Sequence, residues 1–180
     1  MIAVRRVRSP ELTPRELGAL RAIFAAAWPE PDEAFDEHDL EHAMGGVHFV
    51  VGIDDAIVSH ASVVEREIHA GEYRLRTGYV EAVATDPMQE RRGFGSAVVA
   101  DATRYIDETF ELGALGTGRL AFYERLGWTA WRGPTGVRTA DGVVRTPEDD
   151  GYVMVRMTPA TPALDLEAPI TCDARAGDAW

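Results

Sequence analysis

The sequence predicts an α/β protein built on a mixed sheet with helices packed against it. Strand patterns joined by short turns fill residues 47–85, and strand and helix patterns then alternate over residues 73–126. Antiparallel strands followed by strand–helix–strand–helix are typical of such a mixed architecture. Hydrophobic residues make up 46% of the chain and charged residues 27%, which is the composition of an ordinary globular protein.

The chain begins with a strand pattern and two helix patterns. Residues 2–8 alternate apolar and polar side chains, which predicts a strand. Residues 13–16 (Thr-Pro-Arg-Glu) predict a helix start, because threonine caps, proline fits the first helical position and glutamate closes a capping box. Apolar spacing carries this helix to about Trp28, where prolines end it. A short second helix is predicted over residues 39–44.

The later elements follow from periodicity and from the glycines and prolines between them. Strands are predicted over residues 47–53, 57–69, 73–85, 112–116, 128–131 and 152–157, and helices over residues 95–110 and 119–126. The segment between the last two strands, and the tail from Pro159, have little periodicity and are predicted to be irregular.

Length, charge and cysteine content limit the protein class. A chain of 180 residues predicts one domain, with a tail of about 159–180. The net charge is −12 and all 18 basic residues are arginine, which argues against nucleic acid and favours cationic ligands. The absence of a long apolar run and of a secretory signal argues against a membrane segment. The single Cys172 excludes an internal disulfide and is expected to be inert packing, so a cytoplasmic protein is predicted.

The segment Arg91-Arg92-Gly93-Phe94-Gly95-Ser96 is the first candidate for chemistry. It follows a strand and opens a helix, where glycines allow close approach of the backbone and the helix N-terminus offers free N–H groups. With the two arginines, it predicts a pyrophosphate site. It lacks the Gly-Lys-Ser/Thr of a P-loop and the spacing of a dinucleotide fingerprint. A plain turn is the alternative.

Glu81 is the second candidate. It lies in a strand, residues 79–84, that is apolar on both faces and is therefore expected to be buried. Desolvation favours the neutral form of a carboxyl group, which suits a general base near neutral pH. The alternative is a structural carboxylate paired with Arg74 or Arg76.

Tyr123 is the third candidate. Its phenol could donate a proton to a leaving group, although the same spacing also fits a core residue. The five histidines are scattered, with only His38 and His42 at i, i+4 spacing, so no metal site is predicted.

These segments, with Phe122-Tyr123-Glu124-Arg125-Leu126-Gly127-Trp128, resemble the GNAT N-acetyltransferases. Further motifs resemble the aminoglycoside 2'-N-acetyltransferases: Gly45-Gly46 with His48, Gly78-Tyr79-Val80-Glu81, Leu112-Gly113-Ala114-Leu115, Gly133-Pro134-Thr135, Arg145-Thr146-Pro147 with Asp149-Asp150-Gly151, and Arg175-Ala176-Gly177-Asp178 with Trp180. The resemblance covers nearly the whole chain and implies a GNAT fold, with a central, mostly antiparallel sheet flanked by helices.

The resemblance implies direct acetyl transfer from acetyl-CoA to the 2'-amine of an aminoglycoside, without a metal. It implies that the backbone at Val83 and Thr85 pairs with pantetheine and that the amides of residues 91–96 hold the pyrophosphate. Glu81 or the carboxylate of Trp180 would take the proton, and Tyr123 would protonate the thiolate. The substrate-binding residues would be Asp39, Glu81, Ala82, Gly116, Asp149, Asp178 and Trp180. Relatives suggest a homodimer.

Three departures from the family pattern matter. Glu90 stands where a glutamine or arginine is usual, so its side chain must point away from a pyrophosphate. Residues 116–118 (Gly-Thr-Gly) stand where relatives often have serines. An acidic contact before Asp39 could come from Glu33 or Asp36. Two further functions stay open: acetylation of another cationic amine, such as a polyamine or cell-wall amino sugar, and a binding module without turnover.

Overall fold

The computed structural model describes residues 2–31, 34–54 and 56–180. The chain divides into two compact units, Met1–Val64 with Val80–Ala102, and Glu65–Tyr79 with Thr103–Trp180. The single domain predicted from the sequence stays a prediction, because two such units can belong to one folding domain.

Among its described residues, the first unit contains three helices and four strands, and three of these elements continue into the second unit. They are β1 (Arg5–Arg8), α1 (Pro14–Ala27), α2 (Glu37–Ala43), β2 (Val47–Ile53), the first part of β3 (Ala56–Ala70), the last part of β4 (Tyr73–Thr85) and the first part of α3 (Phe94–Thr109). β2 lies between β1 and β3 and is antiparallel to both.

Helix α1 forms where the capping pattern predicts it. The side chain of Thr13 accepts a hydrogen bond from the Glu16 amide at 3.2 Å, and the Glu16 carboxylate accepts one from the Thr13 amide at 2.9 Å. The inward face of the helix buries Leu20, Ile23 and Phe24 in a core that also contains Leu40, Val50 and Ala84. Burial of each large apolar side chain contributes roughly 1.5–3 kcal/mol, which holds the helix in place.

The second unit is organised around a mixed sheet. Its elements include β5 (Leu112–Gly116), α4 (Leu120–Glu124), β6 (Thr129–Ala130), β7 (Thr135–Thr139), β8 (Gly142–Arg145), β9 (Val153–Met157) and β10 (Ile170–Asp173). The strand order is β6-β9-β5-β4-β3-β10-β7-β8. β4 with β5 and β7 with β10 are parallel pairs, and β5 with β9 and β7 with β8 are antiparallel pairs. The predicted mixed sheet with helices is confirmed.

Two segments predicted to be irregular are strands, so that prediction is wrong. β7 and β8 form a hairpin inside the predicted loop, closed by a turn at Ala140 and Asp141. β10 forms inside the predicted irregular tail, between β3 and β7. Such short strands have almost no periodicity of their own. They form because neighbouring strands pair with them and because Ile170 and Cys172 are fully buried.

Over the described ranges, no helix is both long enough and apolar enough to span a membrane.

Candidate active site

Glu81 lies on β4 beside a break in the strand. Ala82 has a φ of +50°, in the left-handed region, which costs a non-glycine residue about 1–2 kcal/mol. Glu81, Ala82 and Val83 are consequently half-buried, so the expectation of a buried Glu81 is wrong. The reason is that a left-handed residue interrupts the alternation of a strand and turns its neighbours partly toward solvent.

The alternative role for Glu81 was an ion pair with an arginine of the same strand. Arg74 forms its ion pair with Glu67, and Arg76 forms its ion pair with Glu65. Both arginines therefore form ion pairs with glutamates of β3.

The backbone around Glu81 is held by side chains that the sequence analysis did not single out. Three side chains of β3 hydrogen-bond to carbonyl groups of β4: Ser59 to Ala84 at 3.1 Å, His60 to Ala82 at 2.7 Å and Ser62 to Glu81 at 3.3 Å. The available signal was a run of polar residues within an apolar strand pattern. Such residues are buried only when hydrogen bonds satisfy them.

The segment after β4 has the strand–turn–helix setting that the glycine-rich pattern predicts. Arg91 and Gly93 have φ values of +61° and +83°, and α3 begins at Phe94. The first amides of a helix have no acceptor within it, and Arg91, Arg92 and Gly93, which precede this helix, are exposed. Cationic side chains and helix-end amides together suit a pyrophosphate.

Two side chains of this turn, those of Arg92 and Glu90, are relevant to anion binding. Arg92 donates to the amide oxygen of Gln89 and lies over the Phe94 ring at 5.1 Å. Glu90 is exposed, as are Arg91 and Arg92, so the expected direction of its side chain stays a prediction.

The acidic candidates before β2 take part in helix capping. Asp36 caps α2 by accepting hydrogen bonds from the amides of His38 and Asp39 at 2.8 and 3.0 Å. These amides hold the pKa of Asp36 below its usual value. Asp39 returns the contact, because its Oδ2 accepts from the Asp36 amide at 2.9 Å. Glu33, the other candidate here, lies outside the described residues.

Tyr123 lies on α4 in the second unit and is only 6% exposed. Its ring meets those of Phe122 and Trp128 edge-on, with centroids 4.9 and 6.2 Å away. Burial raises the pKa of Tyr123 well above that of a free phenol. The hydroxyl therefore stays protonated at neutral pH, as a proton donor requires.

Asp149 and Asp150 are neighbours in sequence with different surroundings. Asp150 accepts a hydrogen bond from Arg145 and two from Thr135, all at 2.8 Å. Arg145, and after it Thr135, hold the pKa of Asp150 far below its usual value, so this carboxylate ties the β7–β8 hairpin together. Burial raises the pKa of Asp149, and the negative charges of Glu148 and Asp178 add to the effect. A cationic ligand would relieve that repulsion.

The tail is ordered and docked in the second unit. Arg66 donates to the carbonyls of Ala179 at 2.7 Å and Asp173 at 3.1 Å, and Arg175 donates to the carbonyl of Asp178 at 2.7 Å. These contacts involve the last residue of strand β10 and the tail residues that come after it. These hydrogen bonds favour a docked tail over the alternative of a disordered terminus.

The tail ends against strand β5. A Cβ added to Gly116 would lie 3.1 Å from the carbonyl carbon of Trp180, tighter than ordinary contact. Glycine at this position therefore lets the main chain of Trp180 reach the end of β5.

The structure places the candidate residues in two groups. The first unit holds Asp39, Glu81, Ala82, Val83, Thr85, Arg91, Arg92, Gly93, Phe94, Gly95 and Ser96. The second unit holds Gly116, Tyr123, Asp149, Asp178 and Trp180.

The remaining candidates for chemistry are Cys172 and a metal site. Cys172 is fully buried, and burial raises the pKa of its thiol, so it stays a neutral packing residue. In the described part of the chain, no three histidine, cysteine or carboxylate side chains are grouped to hold a metal ion.

Comparisons with known proteins identify the family of the chain. The model of the acetyltransferase (GNAT) domain matches residues 8–131. The chain is 41% identical over 167 residues to an aminoglycoside 2'-N-acetyltransferase from Mycolicibacterium fortuitum, which covers 91% of this chain and 84% of that protein.

Solved structures share the fold. A GNAT family N-acetyltransferase from Escherichia coli, solved with CoA, has a TM-score of 0.66 at 14% identity. The match covers 95% of this chain and 89% of the Escherichia coli chain. A GCN5-related N-acetyltransferase from Kribbella flavida has a TM-score of 0.56 at 21% identity and covers 74% of this chain. This chain spans about a third of that longer protein, 34% of its length.

Proposed function

From the premise that this chain belongs to the GNAT acetyltransferase family, we propose that it transfers the acetyl group of acetyl-CoA to the 2'-amine of aminoglycosides. The transfer is direct, within a ternary complex: the amine nitrogen bonds to the acetyl carbon as the carbon–sulfur bond breaks. The proton of the amine passes to a base, and the CoA thiolate takes a proton from an acid.

In the first unit, acetyl-CoA is held by backbone groups. Val83 and Thr85 offer strand groups to pantetheine, and the amides of residues 91–96 bind the pyrophosphate with help from Arg91. The exposed left-handed turn before α3 supports this role. Glu81 acts as the base, directly or through water, because an amine attacks only when it is neutral.

In the second unit, Tyr123 protonates the departing thiolate, because its neutral phenol carries a proton that a thiolate can accept. Asp149, Asp178 and the main-chain carboxylate of Trp180 bind the ammonium groups of the substrate, with Asp39 of the first unit as a further contact. Charge-assisted hydrogen bonds to carboxylates are about twice as strong as neutral ones, which suits a polycation.

The observation that carries the choice of substrate is the docked acidic tail. The ordered chain from β10 to Trp180, with Asp178 acting on the half-buried Asp149, forms a negative surface that an acetyl acceptor without positive charge would not need. Together with the identity to the Mycolicibacterium fortuitum enzyme, it favours an aminoglycoside over a peptide.

The proposal is tested by following thiol release from acetyl-CoA with matched aminoglycosides that carry either an amine or a hydroxyl at the 2' position. We expect turnover with the amine and none with the hydroxyl. Turnover with both would move acetylation to another nitrogen. Turnover with neither, while acetyl-CoA still binds, would replace the proposal by acetylation of a polyamine or amino sugar, or by a binding module without turnover.

The proposal includes a cytoplasmic location and a homodimer. The location is supported by the dependence on acetyl-CoA, a metabolite of that compartment, and the dimer rests on the resemblance to the family. Sedimentation equilibrium of the purified protein tests the dimer, and a molecular mass near 20 kDa, that of one 19.7 kDa chain, would contradict it.

A further inference from the structure

A chain of hydrogen bonds through two buried histidines leads to the backbone of β4, and the proposed chemistry does not use it. The hydroxyl of Ser9 lies 2.8 Å from Nε2 of His48, and Nδ1 of His48 lies 2.9 Å from Nε2 of His60. Nδ1 of His60 lies 2.7 Å from the carbonyl oxygen of Ala82. Both imidazole rings are fully buried.

Both rings are neutral at physiological pH. Burial lowers the pKa of His48 to about 4. Burial, and then the neighbouring His48, lowers the pKa of His60 to about 3. The edge of one of the aromatic rings in the core, Phe24, packs against His60 at 5.1 Å between centroids, so water does not reach this ring.

Neutral rings allow one arrangement of the protons. A carbonyl oxygen only accepts, so Nδ1 of His60 donates to Ala82 and its Nε2 is an acceptor. Nδ1 of His48 must then donate to His60, and Nε2 of His48 accepts from the Ser9 hydroxyl. The oxygen of Ser9 accepts from the amide of Gly45 at 2.9 Å. Both ring donors point toward Ala82, and the Ser9 hydroxyl lies closer to His48 Nε2, at 2.8 Å, than to its other acceptor, the Gly46 carbonyl oxygen at 3.3 Å.

We propose that Ser9, His48 and His60 are positioning residues. They hold the peptide that follows Ala82 and, through it, the carboxylate of Glu81 and the backbone of Val83. Ala82 is in the left-handed region, and a buried donor on its carbonyl keeps the peptide plane from rotating back. A carbonyl oxygen passes no proton onward at neutral pH, so the chain orients and does not conduct.

The energetics support a positioning role. Two buried imidazoles and the half-buried Ser9 contribute little to stability compared with apolar side chains of the same shape, but a fully satisfied network specifies a single geometry. Hydrogen bonds aligned in one direction polarise one another, which strengthens the last one, on Ala82. The kinetic part of the proposal rests on the proposed acetyl transfer, whereas the geometric part does not.

The geometric part is tested by 15N NMR of the wild-type protein labelled in its histidines, at pH 7. We expect His48 and His60 both to carry their proton on Nδ1, which is the minor tautomer of free histidine. Protonation of either ring on Nε2, or on both nitrogens, would overturn the directed chain.

The kinetic part is tested with His60→Leu and His60→Asn. Asparagine keeps a donor where Nδ1 lies, whereas leucine removes it. We expect His60→Leu to lower kcat about 10- to 100-fold, as a misplaced reacting group does, with the KM for acetyl-CoA changed less than about twofold. His60→Asn should recover most of the loss, and amide NMR shifts of Ala82 and Val83 should follow kcat across the two variants.

Leu20→Ala is the control for stability, because Leu20 is fully buried in the core of the same unit and makes no contact with the chain of hydrogen bonds through a polar atom. The Leu20→Ala variant should have a lower free energy of unfolding than the wild type and the same kcat. If kcat falls equally in His60→Leu and His60→Asn, or falls as much in Leu20→Ala, the chain of hydrogen bonds has only a structural role. Either result would overturn the proposal.

Two further outcomes separate this proposal from the function. If His60→Leu does not fold, Ser9→Ala keeps both histidines, and we expect it to shift the 15N signals of His48 and lower kcat a few-fold; unchanged signals would contradict the chain. If the wild-type protein acetylates no aminoglycoside, the proposed function fails, while the tautomers and the Ala82 amide shifts still decide the positioning.

Discussion

Beneath β4 of the first unit, the polar side chains are buried, neutral and bound to one another, whereas the acidic loop and tail of the second unit keep their carboxylates partly or fully exposed. His48 and His60 are fully buried, and Asp178 is exposed. Buried dipoles with fixed partners hold a backbone in one geometry. Exposed carboxylates attract a cation without holding it rigidly. The difference predicts that changes in the first region lower kcat and that changes in the second raise KM.

Glu81→Gln is the strongest test of this predicted difference between effects on kcat and effects on KM. Removal of a general base costs about 10²- to 10⁴-fold in rate, so kcat should fall by that factor while the dissociation constant of acetyl-CoA stays within about twofold. Single-turnover kinetics and calorimetric titration of acetyl-CoA measure the two quantities. Glu65→Gln, an exposed glutamate of β3 paired with Arg76, is the matched control and should leave both unchanged. A Glu81→Gln variant with the wild-type rate at every pH would remove Glu81 as the base.

Acid stability is the second test, and it concerns the buried histidines alone. Their folded pKa values, about 4 and 3, lie below the unfolded value of 6.5. Stability is therefore complete above about pH 6.5 and is lost as the pH falls, because only the unfolded chain takes up the protons. Each histidine should lower the free energy of unfolding by about 1.4 kcal/mol per pH unit in this window.

Urea unfolding at pH 6.5, 5.5 and 4.5 measures this slope. His48→Gln should be less stable at every pH but should lose a smaller amount per pH unit than the wild type. His38→Gln, which changes an exposed histidine, should keep the wild-type slope. The same slope in all three proteins would show that the buried histidines do not control acid stability.

Deletion of Trp180 tests the second region. The tail is held by Arg66 and Arg175 through the carbonyls of residues 173, 178 and 179, so it should stay docked without its last residue. We expect the KM for the aminoglycoside to rise about tenfold, the cost of one lost hydrogen bond to a charged group, with acetyl-CoA affinity unchanged. Addition of one glycine after Trp180 keeps the indole and moves the carboxylate, and should have the same effect. Wild-type kinetics in both variants would show that the tail is idle.

Gly116→Ala is the smallest expected effect and has a close control. The added methyl would lie 3.1 Å from the carbonyl carbon of Trp180, so the end of the tail must move by a few tenths of an ångström. The KM for the aminoglycoside should rise about two- to fivefold, which corresponds to roughly 0.4–1 kcal/mol. Gly118→Ala places its methyl in open space and should behave as the wild type. Equal effects of the two substitutions would mean that the tail does not depend on the glycine.

Much of the fold could be predicted because local signals agree with it. The capping box at Thr13, the strands at 47–53 and 73–85 and the turn before α3 all lie where sequence patterns placed them. The β7–β8 hairpin and β10 could not be predicted, because strands of four or five residues are held by their neighbours rather than by their own periodicity.

The sequence by itself determined the family, the acidic surface and the residue types that acetyl transfer requires, since these depend on motifs and on composition. Tertiary structure alone decided that Glu81 is half-buried, that Asp150 is structural while Asp149 faces like charges, and that His48 and His60 form one chain with Ser9. The physical reason is that solvation and hydrogen-bond direction depend on neighbours far away in sequence. His60, which is 12 residues from His48 and 22 from Ala82, meets both only because β3 lies in the folded sheet.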